Sequence, residues 1–276
     1  MSMLEQKFAR LTEILRECRS VCVGYSGGVD SVFLAKVAVD VLGPERVLAV
    51  TGRSASYPAV QHEVALECVR RFGIPHVEIE TDELSNPNYA ANPSNRCYFC
   101  KSELWSKLNA LAVERGYAVV LDGSNADDAG DYRPGMQAAA ENRVRSPLLE
   151  AGLTKREIRE LSHGLGLPTW DQPAAPCLSS RLPYGLAVTR ERLRQVEAAE
   201  EVLRARGFRE FRVRHHGDVA RLEISPEEME RALEGAADLA TKLLGIGFGR
   251  VLLDVEGYRR GALNESLPLV QLRAAG

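Results

Sequence analysis

The sequence has no apolar run long enough to cross a membrane, and its N-terminal residues lack the apolar core of a signal peptide. Six cysteines in 276 residues are too few for a disulfide scaffold, and an intracellular chain would keep them reduced. A net charge of −3 at pH 7 gives no general attraction to nucleic acid or to anionic membranes. Low-complexity segments and internal repeats are also missing. These absences predict a soluble cytoplasmic protein of the ordinary globular kind.

A glycine-rich segment over residues 24–31, Gly-Tyr-Ser-Gly-Gly-Val-Asp-Ser, follows a short apolar run and precedes an apolar-periodic stretch. The pattern predicts a strand, a glycine turn and the start of a helix. Gly27 and Gly28 would let the backbone approach an anion, and the N–H groups of the first helical turn would face that anion. The hydroxyls of Ser26 and Ser31 would add hydrogen bonds to phosphate oxygens.

This segment does not contain the lysine of a Walker-type P-loop, whose pattern is Gly-x-x-x-x-Gly-Lys-Ser/Thr. A pyrophosphate held here would therefore be bound by backbone amides, hydroxyls and Mg²⁺. Ser-Gly-Gly-Val-Asp-Ser closely resembles the PP-loop of ATP pyrophosphatases, enzymes that cleave ATP to AMP and pyrophosphate in order to activate a substrate. The plainer alternative is an ordinary glycine turn between a strand and a helix.

The first half of the chain alternates apolar strand patterns with helix patterns, which predicts an α/β fold with a parallel sheet covered on both faces. We expect helices over 3–18, from the glycine turn to about 42, over 57–72 and near 99–115, and strands ending at 25 and over 46–51, 76–81 and 118–122.

The pattern changes beyond residue 181 and predicts a smaller C-terminal α+β domain. We expect a charged helix over 190–206, a hairpin with strands 211–215 and 219–224, helical sequence from 226 and a strand over 250–255. The expected domains are a PP-loop ATP pyrophosphatase domain over 1–180 and a domain for substrate binding or oligomerisation over 181–276.

Ligands of parallel sheets bind beyond the carboxyl ends of the strands. Residues 52–57 follow the second strand and are expected near adenine and ribose. In the loop after the fourth strand, Asn125 and Asp127 are expected to contact ATP. Carboxylates of Asp30, Asp127 and Asp128 could hold Mg²⁺ between phosphates. Capping of a turn explains one of the last two equally well.

Six segments carry a resemblance to one family. They are Ser-Gly-Gly-Val-Asp-Ser (26–31), Asp-Gly-Ser-Asn-Ala-Asp-Asp (122–128), Gly-Asp-Tyr-Arg-Pro-Gly (130–135), Pro-Cys-Leu-Ser-Ser-Arg (176–181), Arg-Val-Arg-His-His-Gly (212–217) and Gly-Tyr-Arg-Arg-Gly-Ala-Leu-Asn-Glu (257–265). Through them the chain resembles, nearly end to end, the ATP-dependent sulfur transferases of the LarE type within the PP-loop superfamily. The first two segments recur across PP-loop enzymes, whereas the last three are more specific to this family.

The resemblance implies that ATP adenylates a carboxylate of pyridinium-3,5-biscarboxylic acid mononucleotide and releases pyrophosphate. Sulfur then displaces AMP and gives a thiocarboxylate for the nickel-pincer cofactor of lactate racemase. A homo-oligomer that acts on this small-molecule nucleotide is also implied.

Cys177 matches the cysteine that attacks the activated carboxylate in this family. In some members that cysteine loses its sulfur and becomes dehydroalanine. Ser180 and Arg181 follow Cys177 closely, and we expect them to share in catalysis, since a nearby guanidinium favours the reactive thiolate. A loop cysteine without a role is the alternative.

Cys97 and Cys100 form a Cys-x-x-Cys pair in loop-like sequence, which can chelate a metal or cluster or act as a redox pair. With Cys177 they resemble the three-cysteine set through which a branch of the family, and some PP-loop tRNA thiolases, bind a 4Fe–4S cluster. The sulfur would then come from a sulfide on the open iron or from Cys177 itself. Zinc, with an unidentified fourth ligand, and a structural pair without a ligand are the alternatives.

Arg212 and Arg214 alternate on one face of a predicted strand, and guanidinium groups suit bidentate binding of phosphate. We expect them to hold the substrate phosphate, with a solvated strand face as the alternative. The family places a metal-binding acid on the charged helix, which Glu201 or Glu200 could match. We expect Glu201 to bind Mg²⁺, and surface solvation is the plainer explanation.

Other functions share parts of this pattern. A PP-loop tRNA thiolase with a three-cysteine cluster is the main alternative, but it usually needs an RNA-binding extension and a basic surface, and this chain is mildly acidic. A nucleotide-binding or iron–sulfur sensor would use the same residues without releasing pyrophosphate. An ammonia-using synthetase of the NAD or GMP type is disfavoured, because nothing in its chemistry requires three loop cysteines. We therefore expect neither a membrane nor a nucleic acid as partner.

Overall fold

The computed structural model describes residues 1–129 and 134–259. The motif at 130–135 lies outside these residues for its first four positions, and the motif at 257–265 lies outside them from residue 260 onward. The chain forms two compact units, of which the first comprises Met1–Tyr89 and Asn95–Ala175. The second comprises Ala90–Ser94 and the described residues from Pro176 onward. The sequence analysis predicted a boundary between two domains at residues 180/181. Compact units do not test whether those domains fold independently, so this boundary stays a prediction.

The described residues between 3 and 164 form four strands, with helices before, between and after them. In order, the elements are α1 (Met3–Cys18), β1 (Val21–Gly24), α2 (Val29–Leu42), β2 (Val47–Arg53), α3 (Ala59–Phe72), β3 (His76–Glu80), α4 (Pro87–Ala90), α5 (Arg96–Arg115), β4 (Val119–Leu121), α6 (Pro134–Glu141), α7 (Pro147–Glu150) and α8 (Lys155–Gly164). Of these, α4 and the three helices after β4 were not predicted. The others lie where the sequence pattern placed them, with small shifts at their ends.

The strands β3-β2-β1-β4, in that order, form a parallel four-stranded sheet among the described residues. Successive strand side chains point to opposite faces of the sheet. Val21 and Val23 of β1 accordingly pack in a core with α1 and α2, whereas Cys22 packs with Trp105 and Leu108 of α5. The predicted α/β class, with helices on both faces of a parallel sheet, is confirmed.

Helix α5 begins at Arg96, three residues before the predicted start near residue 99. Cys97 and Cys100 therefore both lie in the first turns of a helix and not in a loop. The predicted helix near 99–115 contained Cys100 but not Cys97. Cysteine and aromatic residues have low intrinsic helix propensity, so the sequence from Cys97 to Phe99 gave little sign of a helix start. Because residues three apart on a helix are neighbours, the two thiols lie on one side of α5.

The C-terminal part contains α9 (Arg190–Ala205), β5 (Phe211–His216), β6 (Val219–Ile224), α10 (Met229–Glu234), α11 (Ala236–Gly245) and β7 (Arg250–Leu253). Strands β5 and β6 form the predicted antiparallel hairpin, whose turn contains Gly217 at a φ of 69°. Strand β7 pairs parallel to β6, which completes a mixed sheet with its own apolar core. Within residues 1–129 and 134–259, no helix is both long and apolar enough to cross a bilayer.

The N-terminus of α8 is fixed by a capping box and an ion pair. Thr154 Oγ1 accepts the N–H of Glu157 at 3.3 Å, and Glu157 Oε2 accepts the N–H of Thr154 at 2.8 Å. Lys7 Nζ of α1 lies 2.8 Å from Glu157 Oε1. Burial acts to raise the pKa of Glu157, but the bonds from Lys7 and Thr154 outweigh it and hold the pKa at about 2. Glu157 therefore ties α8 to α1.

We predict that Glu157→Gln lowers the free energy of unfolding by about 2 kcal/mol at pH 7. A carboxyl group whose pKa falls on folding from 4.5 to about 2 stabilises the fold above pH 4.5 and loses this contribution as the pH falls toward 2. The gap to wild type in urea denaturation, followed by circular dichroism, should therefore shrink between about pH 6 and about pH 3. Glu160→Gln, at an exposed position on the same helix, is the control. A gap that stays constant in acid would contradict this role of Glu157.

Candidate active site

The glycine-rich turn joins β1 to α2, and its own side chains hold it in shape. The Ser31 hydroxyl accepts the N–H of Ser26 at 3.2 Å and donates to the carbonyl of Gly28 at 3.1 Å. The hydroxyl oxygens of Ser26 and Ser31 lie 3.2 Å apart. Gly28 is the N-cap of α2 and offers no side-chain cap. Because no side chain caps this helix N-terminus, its first N–H groups can face an anion.

Helix α3 passes directly beside Gly27. A Cβ at this position would lie 2.7 Å from Ala65 Cβ and 3.0 Å from the carbonyl oxygen of Gln61. Gly27 also has a φ of 71°, which other residues adopt only with strain. The phosphate-binding turn is therefore packed against a single turn of α3, and only glycine fits at the contact.

Asp30, in the first turn of α2, is the meeting point of two distant side chains. Lys155 Nζ, from the start of α8, forms an ion pair with Asp30 Oδ2, and Asn125 Nδ2 donates to Asp30 Oδ1 at 3.4 Å. Sequence reasoning singled out Asp30 and Asn125 but missed Lys155, which is 125 residues from Asp30. The capping box at residues 154–157 was a signal for a helix start, but not for its position in space. The glycine-rich turn contains no lysine, but Lys155 of α8 lies beside it through its ion pair with Asp30.

Asp127 and Asp128 make the contacts of backbone caps. Asp128 Oδ2 accepts the N–H of Asn125 at 3.0 Å, and Asp127 Oδ2 accepts the N–H of Lys155 at 2.8 Å. These bonds fix the loop after β4 and connect it to α8. Binding of ATP by Asp127 and of Mg²⁺ by Asp128 stays a prediction.

The segment after β2 reaches the glycine-rich turn through Tyr57. Its hydroxyl donates to the carbonyl of Ser26 at 3.0 Å. Burial raises the pKa of Tyr57, which keeps the hydroxyl protonated and able to donate. Next to it, the buried Ser56 hydroxyl donates to Oε1 of the buried Glu83 at 2.5 Å. Like Lys155, Glu83 was not singled out from the sequence.

In the second unit, Cys177 stands at the start of a 3₁₀ turn, Leu178–Arg181. Its carbonyl oxygen accepts the Ser180 N–H at 3.0 Å, the Ser180 hydroxyl at 2.8 Å and Arg181 Nη1 at 3.1 Å. Arg181 Nη1 also donates to the carbonyl of Pro176 at 2.6 Å. The structure thus brings the predicted catalytic residues Cys177, Ser180 and Arg181 together, through the backbone of the cysteine. The thiol itself is half-buried.

Two neighbouring acids of α9 have different surroundings. Glu200 is buried and pairs with the buried Arg181, Oε1 to Nε at 2.8 Å. Glu201 is exposed and pairs with Arg204 at 3.1 Å. Glu200 therefore belongs to the network around Cys177, and the binding of Mg²⁺ by Glu201 stays a prediction.

Arg212 and Arg214 of β5 do not form a solvated face. Arg214 pairs with the buried Glu223 at 2.8 Å and donates to the carbonyl of Ser180 at 2.8 Å. The Arg212 guanidinium lies 5.0 Å from the ring centroid of Tyr258. Burial, together with the nearby positive charge of Arg181, lowers the pKa of Arg212. Binding of the substrate phosphate by Arg212 and Arg214 stays a prediction.

The cysteines all lie in described residues, and none of them forms a disulfide. Cys97 is exposed and Cys100 is half-buried. Two thiols about one helical turn apart fit the edge of an iron–sulfur cluster or a metal ion. Within residues 1–129 and 134–259, however, no three His, Cys, Asp or Glu side chains form a group that could hold a metal ion. The thiol pair fits such a group only in part, so no reaction step is assigned to it.

Comparison with known proteins bears on the whole chain. The sequence model of the NAD synthase family matches residues 4–110, which contain the glycine-rich turn but not Cys177. The chain is 37% identical over 272 residues to pyridinium-3,5-bisthiocarboxylic acid mononucleotide synthase of Lactiplantibacillus plantarum, covering 99% of both chains. It is 47% identical over 267 residues to an uncharacterized protein of Synechocystis sp., covering 96% of this chain and 99% of that protein. An uncharacterized protein of Methanocaldococcus jannaschii is 25% identical over 257 residues, 92% of this chain and 98% of that protein. The chain is an enzyme that belongs to the PP-loop family of ATP-dependent sulfur transferases, together with the Lactiplantibacillus synthase.

Proposed function

We propose that this enzyme uses ATP to adenylate a carboxylate of pyridinium-3,5-biscarboxylic acid mononucleotide and converts it to a thiocarboxylate, for synthesis of the nickel-pincer cofactor of lactate racemase. The observation that carries the proposal is the 37% identity, over 99% of both chains, to a synthase named for the bisthiocarboxylic product. Because this similarity extends through the cysteine loop and the second unit, it favours the cofactor precursor over tRNA as the sulfur acceptor.

In the first step, a carboxylate oxygen of the substrate attacks the α-phosphorus of ATP, the bond to the bridging oxygen breaks, and pyrophosphate leaves. The N-terminus of α2 and the hydroxyls of Ser26 and Ser31 would hold the departing phosphates. The ammonium group of Lys155 would leave its ion pair with Asp30 and pair with a phosphate oxygen instead. The Asp30 carboxylate would then be available to Mg²⁺, which prefers few carboxylates together with phosphate oxygens.

In the second step, a sulfur nucleophile attacks the acyl carbon and the bond to AMP breaks. If the nucleophile is the Cys177 thiolate, a thioester forms. A base then removes the Cα proton, the electron pair forms a double bond to Cβ, and the Cβ–S bond breaks. The products are the thiocarboxylate and dehydroalanine at position 177. Removal of the proton places negative charge on the Cys177 carbonyl oxygen, where Ser180 and Arg181 already donate, and this supports their catalytic role.

The proposal includes a 4Fe–4S cluster held by Cys97, Cys100 and Cys177. Its support is the thiol pair in the first turns of α5 together with a third cysteine in the sequence context expected for the family. When bound, such a cluster would offer a sulfide as the sulfur source in place of Cys177. Zinc, with a fourth ligand still unidentified, is the competing occupant of these three thiols.

Substrate binding and assembly complete the proposal. Arg212 and Arg214 would hold the phosphate of the substrate mononucleotide, since guanidinium groups bind phosphate in a bidentate manner. A homo-oligomer in the cytoplasm is also proposed, on the family resemblance. Mass photometry of the purified protein and fractionation of the source cells check these two points.

The purified enzyme, given ATP, Mg²⁺ and pyridinium-3,5-biscarboxylic acid mononucleotide, should release pyrophosphate and form a thiocarboxylate that mass spectrometry detects. Cys177→Ala should still release pyrophosphate but form no thiocarboxylate, because adenylation precedes sulfur transfer. A sacrificial donor also predicts that the wild-type chain loses about 34 Da, the mass of H₂S, in one turnover. Cys68→Ala, at a buried position of α3, should behave like wild type. Wild-type enzyme that releases no pyrophosphate with this substrate would refute the proposed function.

Lys155→Met should raise the KM for ATP about 10- to 100-fold, since a hydrogen bond to a charged group contributes about 1.5–3 kcal/mol. Initial rates of pyrophosphate release at varied ATP concentration measure this. Lys36→Met is the matched control, because Lys36 likewise forms an ion pair with an aspartate of α2, but that partner is Asp40 and not Asp30. Such a pair contributes less than about 1 kcal/mol, so the control should keep its KM. An unchanged KM in Lys155→Met would exclude Lys155 from phosphate binding.

Anaerobic reconstitution with iron and sulfide should give about four irons per chain in wild-type protein. Cys97→Ala, Cys100→Ala and Cys177→Ala should each lower iron and acid-labile sulfide, whereas Cys68→Ala should retain both. Absence of iron uptake by the wild type would sink the cluster proposal and leave Cys177 as the sulfur donor.

A further inference from the structure

The segment that leads from α8 to Cys177 is held by an arginine of that helix. We define the donor arm as residues 169–175, the stretch of the first unit that runs directly into Pro176 and Cys177. Arg159 Nη1 donates to the carbonyl of Trp170 at 2.6 Å, and Arg159 Nη2 donates to the carbonyl of Gln172 at 2.7 Å. One guanidinium therefore bridges two backbone carbonyls of the donor arm, in a fixed fork geometry that lysine does not have.

A second contact ties the donor arm to the wall of the phosphate-binding turn. Gln172 Nε2 donates to Oε1 of the buried Gln61 on α3 at 3.2 Å. The backbone carbonyl of the same Gln61 is, with Ala65, one of the groups against which Gly27 packs. Gln61 therefore contacts the donor arm through its side chain and the phosphate-binding turn through its backbone.

The remainder of the donor arm is short and stiff. Cys177 follows Gln172 by five residues, so a fully extended chain keeps their Cα atoms within about 18 Å. Pro173 and Pro176 fix their own φ angles and restrict the residues before them to extended conformations. Fixing Gln172 therefore limits the positions that Cys177 can take.

The two anchors differ in strength. Arg159 makes two charge-assisted bonds, whereas the amide contact is incomplete. Among the described residues, Gln61 Nε2 and Gln172 Oε1 are buried without a hydrogen-bond partner, and so is Thr169 Oγ1. Charge-assisted bonds contribute about twice as much as neutral ones. Of these two contacts, that of Arg159 is therefore the stronger.

We infer that Arg159 is a positioning residue for sulfur transfer, holding the donor arm so that Cys177 is delivered to the adenylated substrate. This inference rests on the proposed function, and it holds whether Cys177 donates its sulfur or binds a cluster. Among the described residues, Arg159 contacts the donor arm and not the phosphate-binding turn, so we expect adenylation to be independent of it. Loss of the anchor should therefore separate the two half-reactions.

The test compares adenylation with sulfur transfer in Arg159→Met. Exchange of labelled pyrophosphate into ATP, in the presence of the substrate mononucleotide, should stay within about two-fold of wild type. The rate of thiocarboxylate formation should fall about 10- to 100-fold, the scale expected when a reacting group is misplaced by about 1 Å. Hydrogen exchange of the peptide that contains residues 169–177 should become faster.

Three further variants provide the controls. Arg156→Met, at an exposed position on the same helix, should retain both half-reactions. Arg159→Lys should be intermediate, because a single ammonium group spans two carbonyls poorly. Gln172→Ala, which removes the weaker anchor and leaves Arg159 in place, should reduce thiocarboxylate formation by less than Arg159→Met does.

Thiocarboxylate formation at the wild-type rate in Arg159→Met would overturn the inference. Parallel loss of exchange and thiocarboxylate formation, with a lowered melting temperature, would also overturn it, because it would assign Arg159 a purely structural role. Failure of the wild-type enzyme to exchange pyrophosphate is a different result, since it would refute the proposed function itself.

Discussion

The close packing of Gly27 against α3 is the constraint on which the site of the first unit depends. Ala65 and Gln61 leave no room for a side chain at this position, so the phosphate-binding turn and α3 must move together. The turn is also bonded to Tyr57, just before α3, and α3 carries the amide that contacts Gln172. Rigidity of this kind suits phosphate chemistry, because donors that are already in place need no reorganisation when charge develops.

Charged side chains have different roles in the two units. The Lys155–Asp30 pair is partly exposed, and pairs of this kind add little to stability. Its value lies in its position, since it keeps an ammonium group at the N-terminus of α2 where phosphates are expected. The Arg181–Glu200 pair is almost fully buried, and loss of either partner would leave a buried charge uncompensated. Lys155 can therefore exchange partners during a reaction, whereas Arg181 is fixed where it holds the backbone of Cys177.

Local signals predicted most of the elements, and long-range contacts were beyond them. Gly73 and Gly207 follow the ends of two predicted helices, and both adopt the positive φ that glycine tolerates. The contacts of Lys155 and Gln172 could not be predicted, because 125 and 111 residues separate these side chains from their partners. A sequence pattern gives periodicity within one element but no distance between elements.

The start of α5 was predicted three residues too late for a different reason. Local propensity there is low, yet Trp105 and Leu108 of the same helix are buried against the sheet, and this packing overrides propensity. Tertiary contacts thus place the thiol pair on a rigid element, while Cys177 follows a stiff arm held by carbonyl contacts.

Both arginines near that arm bind backbone oxygens, Arg159 before Pro173 and Arg181 at Pro176 and Cys177. Hydrogen bonds to the backbone fix the position of the Cys177 main chain, but they leave rotation about its Cα–Cβ bond and its Cβ–S bond unconstrained. The Cys177 thiol needs this freedom if it is to attack an acyl carbon and then lose its sulfur, or to bind a metal. Hydrogen bonds to the sulfur itself would remove that freedom.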